Sequence, residues 1–234
     1  MKIAVVQFPG SNCDQDCLRA LTDGLRVEAQ YIWHKQTSLS GFDAVVLPGG
    51  FSYGDYLRCG AIARFSPIMR AVVRSAHEGM AVIGICNGFQ ILCEAGLLPG
   101  ALIRNKSLRF VCKPIWLRVE TADTPFTANL KGQSVLKMPV AHGEGSYFAD
   151  EGILDALESK NQVVFRYADQ SGNVTAESNP NGSMRNIAGI CNEARNVVGM
   201  MPHPDRAWDE KLGSEDGKLL FGSLVESLDP VLSR

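Results

Sequence analysis

In Gly84-Ile85-Cys86-Asn87-Gly88-Phe89-Gln90 a cysteine stands between two glycines. The segment lies where the apolar run Met80-Ala81-Val82-Ile83 gives way to the helix-forming Phe89-Gln90-Ile91-Leu92-Cys93. A strand that turns sharply into a helix, with small residues flanking the apex, is a nucleophile elbow, and the G-x-C-x-G form presents a thiol. Gly84 and Gly88 would let the elbow pack closely on its neighbours. The helix start adds positive potential and free N–H groups beside the sulfur, a setting that favours a thiolate. The alternative is a buried structural cysteine after a central strand. Glycines on both sides weigh against that alternative.

A thiol nucleophile needs a base, and the chain has four histidines. His34 follows Tyr31-Ile32-Trp33 as a strand-end residue, and His77 lies in the polar end of a helix before Glu78-Gly79. His203 is different. It lies in Met200-Met201-Pro202-His203-Pro204-Asp205, where an apolar strand runs into a stiff Pro-x-Pro end that fixes the direction of the ring. Asp205, two residues on, would project from the same side of an extended segment and could orient the imidazole. His-x-Asp alone is a weak signal. Beside the elbow it suggests a triad assembled from separate strand ends.

Acyl transfer also needs donors for a developing oxyanion. Val45-Val46-Leu47-Pro48-Gly49-Gly50-Phe51 carries a buried strand into a double glycine, so bare N–H groups can face a ligand there. The N–H groups of Gly50 and of Asn87, just after the nucleophile, form the natural pair. An ordinary Gly-Gly turn is the competing reading.

These parts require a scaffold that brings strand ends together, and the chain alternates strand and helix. Strands are expected at 2–8, 29–34, 44–47 and 81–85, with helices from Ser11 or Asn12 to about 25, from about 67 to 77, and from the elbow to about 95. This βαβ order implies a parallel sheet with its sites at the strands' carboxyl ends. Segments 110–120 and 135–140 read as less regular strands; 162–168 and 174–177 read as a hairpin about Ser171-Gly172-Asn173, and 216–227 as a closing amphipathic helix. No repeat, low-complexity tract or linker interrupts the 234 residues.

Three of these segments, Gly84–Gln90, Leu47–Phe51 and Met201–Asp205, together resemble the triad-type (class I) glutamine amidotransferases. Four more are similar to one branch of that family: Phe8-Pro9-Gly10-Ser11-Asn12-Cys13-Asp14, Phe51-Ser52-Tyr53-Gly54-Asp55-Tyr56-Leu57-Arg58, Pro139-Val140-Ala141-His142-Gly143-Glu144-Gly145 and Asn179-Pro180-Asn181-Gly182-Ser183. That branch supplies ammonia to an ATP-dependent synthetase of de novo purine biosynthesis. The resemblance implies an α/β fold with an open, mostly parallel sheet flanked by helices, and one type-1 amidotransferase domain over 1–234. It implies Cys86, His203 and Asp205 as catalytic residues, with glutamine as substrate and no metal. Gln90 resembles the family's substrate-contacting glutamine, and His142, Gly143 and Glu144 would line the pocket for the amino-acid end. A solvated helix residue and a tight capped loop are the alternatives there. The family pattern after the histidine is Pro-Glu-Arg. Here it is Pro204-Asp205-Arg206, so the carboxylate is set back by a methylene and its contact with the ring should be weaker.

The implied partners are a large synthetase subunit, which would hold ATP and magnesium, and a small third subunit. Gly213-Ser214-Glu215-Asp216-Gly217-Lys218 is one residue short of a P-loop and opens a helix, so this chain offers no convincing nucleotide site. The two tyrosines of the 51–58 segment would anchor an interface, and a flip of the Gly49-Gly50 peptide could gate the site. Other features narrow the classes. A net charge of −2 without a basic run leaves no nucleic-acid footprint. No apolar stretch approaches the roughly 18 residues of a membrane span, which together with the absence of a secretory start points to the cytoplasm. Seven cysteines without paired metal-like spacing fit reduced thiols, Cys13-x-x-x-Cys17 being the only hint of a pair. Asn105-Lys106-Ser107 and Asn181-Gly182-Ser183 match a glycosylation pattern that has no meaning in the cytoplasm. Two other classes remain open: a cysteine hydrolase acting alone on the same scaffold, and a non-enzymatic binding protein of that fold.

Overall fold

In a computed structural model, which describes residues 1–132 and 135–229, the apolar runs become inner strands of a nine-stranded sheet. The amino-terminal half contributes β1 (Lys2–Gln7), α1 (Asp14–Arg19), β2 (Glu28–Trp33), β3 (Ala44–Leu47), α2 (Pro67–His77), β4 (Ala81–Ile85) and α3 (Asn87–Glu94). The middle contributes β5 (Ala101–Ile103), β6 (Val111–Val119), β7 (Val135–His142), β8 (Ser146–Phe148) and α4 (Glu151–Ser159). The chain closes with β9 (Val163–Ala168), β10 (Ile187–Cys191), β11 (Val197–Met200) and α5 (Asp216–Leu228).

The strand order is β2-β1-β3-β4-β11-β10-β9-β6-β7. From β2 to β11 neighbours run parallel, and from β11 to β7 they run antiparallel. Every residue of β3, β4, β10 and β11 is buried, as expected for strands covered on both faces. Each of Val82, Ile83 and Ile85 contributes about 1.5–3 kcal/mol by leaving water. Strand β7 alternates instead, burying Leu136, Met138, Val140 and His142, because only one of its faces meets the core. Helix α3 packs on β3, β4 and β11, while α5 lies against β7 and the turn after β11. The expected α/β class and its parallel, site-bearing strands are therefore present, extended by an antiparallel half.

Two local expectations fail. Neither Ser11 nor Asn12 caps α1. Its N-cap is Cys13, while Ser11 Oγ accepts from Phe8 N–H at 3.2 Å and Asn12 Oδ1 faces the Cys13 thiol at 3.3 Å. Segment 174–177 is not a strand either. The Asp169 carboxylate gathers the N–H groups of Ser171 and Asn173 and forms the turn, but both edges of β9 are already taken by β6 and β10. No edge remains for a hairpin partner.

Candidate active site

The turn between β4 and α3 places Cys86 at φ 52°, ψ −105°, a backbone strained for any side chain but glycine. Tight packing maintains it. A Cβ on Gly84 would lie 2.5 Å from the Gly88 carbonyl oxygen, and one on Gly88 would lie 2.0 Å from that of Leu47. The Cys86 N–H donates to Met200 O at 2.8 Å, tying the elbow to β11, and its Sγ lies 3.7 Å from Ala141 O.

His203 follows β11 and its N–H donates to Pro139 O at 2.9 Å, so β7 helps to fix the ring. Its Nδ1 faces both oxygens of Asp205, at 3.3 Å and 3.4 Å. Both residues are only 1% exposed, and His203 Nε2 is buried with no hydrogen-bond partner. Burial pushes the imidazolium down, but the negative charges of Asp205 and Cys86 outweigh it and hold His203 well above the ordinary histidine range. The geometry thus brings Cys86, His203 and Asp205 to neighbouring strand ends. A ring nitrogen is left free to exchange a proton, as thiol-based acyl transfer requires.

Gly50 follows β3, the strand beside β4, and sits at φ 142°. It is bridged to Ser11, and Phe51 N–H donates to Gly10 O at 3.0 Å. A Cβ on Gly50 would meet Asn12 N and Ser11 Cα at 2.8 Å, so the loop after β1 clamps this turn in place. A peptide flip here would have to break that clamp.

The chain as a whole is similar to known proteins. Residues 1–215 match the model of the CobB/CobQ-like glutamine amidotransferase domain. A curated phosphoribosylformylglycinamidine synthase subunit PurQ from Salinibacter ruber is 57% identical over 98% of both chains. Its counterpart from Methanosarcina acetivorans is 55% identical over 97% of both. The chain belongs to the PurQ family of glutamine amidotransferases. The solved structure of PurLQS from Thermotoga maritima contains a chain 42% identical to this one, with a TM-score of 0.85 over 97% of this chain and 99% of that chain. A further glutamine amidotransferase from Thermotoga maritima, at 14% identity and a TM-score of 0.60, shares the fold.

Around the elbow of this amidotransferase, Gln90 is buried and fully engaged, not solvated. Its Nε2 donates to Glu144 O at 2.6 Å and its Oε1 accepts from Asn87 Nδ2 at 2.9 Å. Asn87 Oδ1 in turn accepts from Ser52 N–H at 3.2 Å. The network joins the segments after β3, β4 and β7. His142, expected to line the pocket, is buried between two amides. Its Nδ1 faces Asn105 Oδ1 at 3.1 Å, and its Nε2 faces Asn181 Nδ2 at 3.4 Å. Gly145 packs on the ring so closely that a Cβ there would lie 2.4 Å away. Burial first, then the charge of His203, lowers the His142 pKa to about 4. His142 is a neutral strut under the 143–145 loop. Gly143, whose carbonyl accepts from Asn105 N–H at 3.0 Å, belongs to that loop.

Sequence reasoning missed Asn105. It is fully buried, and its side chain also donates to the carbonyls of Arg109 and His142 and accepts from Gly145 N–H. Asn-Lys-Ser draws attention as a glycosylation pattern, which hid an amide that organises the loop. Of the two tyrosines expected at an interface, Tyr53 turns inward, its hydroxyl 2.8 Å from both His34 Nδ1 and Ser66 Oγ. Tyr56 and Leu57 are the exposed pair, at 75% and 82%. Cys13-x-x-x-Cys17 forms no disulfide, and all seven cysteines are free.

Proposed function

We propose that this chain hydrolyses glutamine to glutamate and ammonia at Cys86. The ammonia passes to an ATP-dependent synthetase subunit that converts formylglycinamide ribonucleotide to formylglycinamidine ribonucleotide in de novo purine biosynthesis. The observation that carries the reading is the strained Cys86 beside a buried His203 whose Nε2 is free and whose Nδ1 is backed by Asp205. The Cys86 thiolate attacks the side-chain carboxamide carbon, and the N–H groups of Gly50 and Asn87 receive the oxyanion. The C–N bond breaks as His203 gives its proton to the departing nitrogen, leaving a γ-glutamyl thioester and ammonia. Water, deprotonated by His203, then adds to the thioester and releases glutamate with the thiolate restored. Gln90 holds the loop that meets the substrate's amino-acid end. There Asp55 and Glu144 supply negative charge suited to its ammonium group. Burial raises the Asp55 carboxyl against a lowering hydrogen bond from Cys59, and Glu144 adds to the rise.

The names of the relatives, subunits of a synthase, and of the PurLQS structure support partners for this chain. These are a large synthetase subunit carrying ATP and magnesium, and a small third subunit. So does the closure of the site, with Cys86 5% and His203 1% exposed, because glutamine cannot enter until a covering segment moves; the 51–58 segment and the 143–145 loop, tied to the elbow helix at Asn87 and Gln90, are the candidates. Tyr56 and Leu57 stand ready as contacts for the partner that moves them. No helix among the described residues is long and apolar enough to cross a membrane, in keeping with a cytoplasmic enzyme. Two measurements test the reading. Peptide mapping by mass spectrometry after an acid quench of the reaction with glutamine should find the glutamyl adduct on Cys86, and steady-state ammonia release should rise strongly when the synthetase, its nucleotide and its substrate are added. An adduct on another cysteine, or an isolated chain as fast as the complex, would overturn the corresponding half of the reading.

A further inference from the structure

The Asp205 contact alone is a weak support for His203. Charge-assisted N–H···O bonds run to about 2.7–2.9 Å, whereas both Asp205 oxygens stand beyond 3.2 Å and Oδ1 is buried without a hydrogen-bond partner. A third group reaches the same place. Cys13 Sγ, a ring nitrogen of His203 and a carboxylate oxygen of Asp205 all lie within 4.8 Å of one another. A Cβ on Gly49 would lie 2.7 Å from His203 Cε1 and 3.0 Å from Cys13 Sγ, so the sulfur and the ring converge on bare glycine backbone.

The sulfur is held from several sides. The Cys13 N–H donates to Gly49 O at 3.3 Å, and the thiol proton has Asn12 Oδ1 at 3.3 Å. Arg206 Nη2 donates to the sulfur at 3.1 Å, while Arg206 Nε donates to Asp16 Oδ2 at 3.0 Å. With the S–H turned toward Asn12, a sulfur lone pair remains for the ring N–H. We propose that Cys13 is a positioning residue of the candidate triad, a second acceptor that steers His203 where the short Asp205 side chain falls back. The three atoms also have metal-ligand spacing, but the Arg206 guanidinium lies against the sulfur and opposes a second cation there. Burial raises the Cys13 thiol, keeping it neutral and an acceptor, not a competing nucleophile.

The inference rests on the glutaminase reading of this site, and its test separates the two. Cys13→Ala, Cys13→Ser, Asp205→Asn and Cys13→Ala/Asp205→Asn chains are assayed in the assembled complex for kcat, KM and pH profile with glutamine. Ammonia-dependent synthesis serves as the control for folding and assembly. Loss of one acceptor should lower kcat for glutamine about 3- to 10-fold with KM unchanged. The imidazolium loses support, so the basic limb of the profile should move to lower pH. The hydroxyl of Cys13→Ser keeps an acceptor and should restore most of the rate. The double variant should lose more than the product of the single losses, because each acceptor covers for the other. A Cys13→Ala chain with parental kcat and profile, or single losses that simply multiply, would overturn the proposal while leaving the role of Cys86 intact. If Cys13→Ala does not assemble, the near-isosteric Cys13→Val, which has no acceptor, takes its place, and a parental kcat and basic limb for that variant would overturn the proposal.

Discussion

His142 and His203 are both almost fully buried and near enough to feel each other's charge, yet they hold protons oppositely. His142 sits at the end of β7 between two amides, Asn105 and Asn181, which satisfy a neutral ring. His203 sits after β11 with a carboxylate at Nδ1 and a nucleophilic sulfur nearby, which favour the cation. Burial lowers the pKa of both. What differs is whether a full negative charge faces the ring, and that decides which histidine is a strut and which can move protons.

Replacing the two histidines separates these roles most widely. His203→Ala should reduce glutamine hydrolysis on the order of 10⁴-fold or more, as losses of triad members do. Asp205→Asn should cost only about 10- to 100-fold, since Pro202, Pro204 and the Pro139 carbonyl still aim the ring. Equal losses in steady-state ammonia release would mean that the carboxylate does more than orient. On the strut side, Asn105→Ala leaves the His142 ring, two carbonyls and the Gly145 N–H without their partner. Denaturant unfolding should report a loss of about 3 kcal/mol or more, and KM for glutamine should rise as the loop held by Gln90 loosens.

The comparison also extends to pH. His142 is depressed to about 4 from 6.5, so unfolding takes up a proton that the native ring refuses. Its contribution is complete above pH 6.5 and is lost as pH falls toward 4, in all about 3 kcal/mol. Equilibrium unfolding across that window should show the loss, and His142→Gln should flatten it. An unchanged pH dependence in the variant would show that His142 is not held neutral.

The parallel half of the molecule was legible because its signals are local. Strands 2–7, 44–47 and 81–85 are short, apolar and punctuated by glycine, and a cysteine between glycines at a strand end has few other uses. The antiparallel half was harder to read. The 174–177 segment looks like a hairpin arm until the pairing of β9 is known, and β5, β8 and α4 carry no periodicity long enough to separate them from loop. Within the site, Cys86, His203 and Asp205 announced themselves by neighbours in sequence. Asn105 and Cys13 act through contacts 37 and 190 residues away along the chain, with His142 and His203 respectively, and nothing beside them in sequence reports such contacts.

The central claim is that this chain makes ammonia from glutamine and another chain uses it. An assembled complex carrying Cys86→Ala should lose formylglycinamidine ribonucleotide synthesis with glutamine while keeping parental synthesis with ammonium salts at alkaline pH. Retained glutamine-dependent product, or the loss of both activities in a complex that still assembles, would contradict the account.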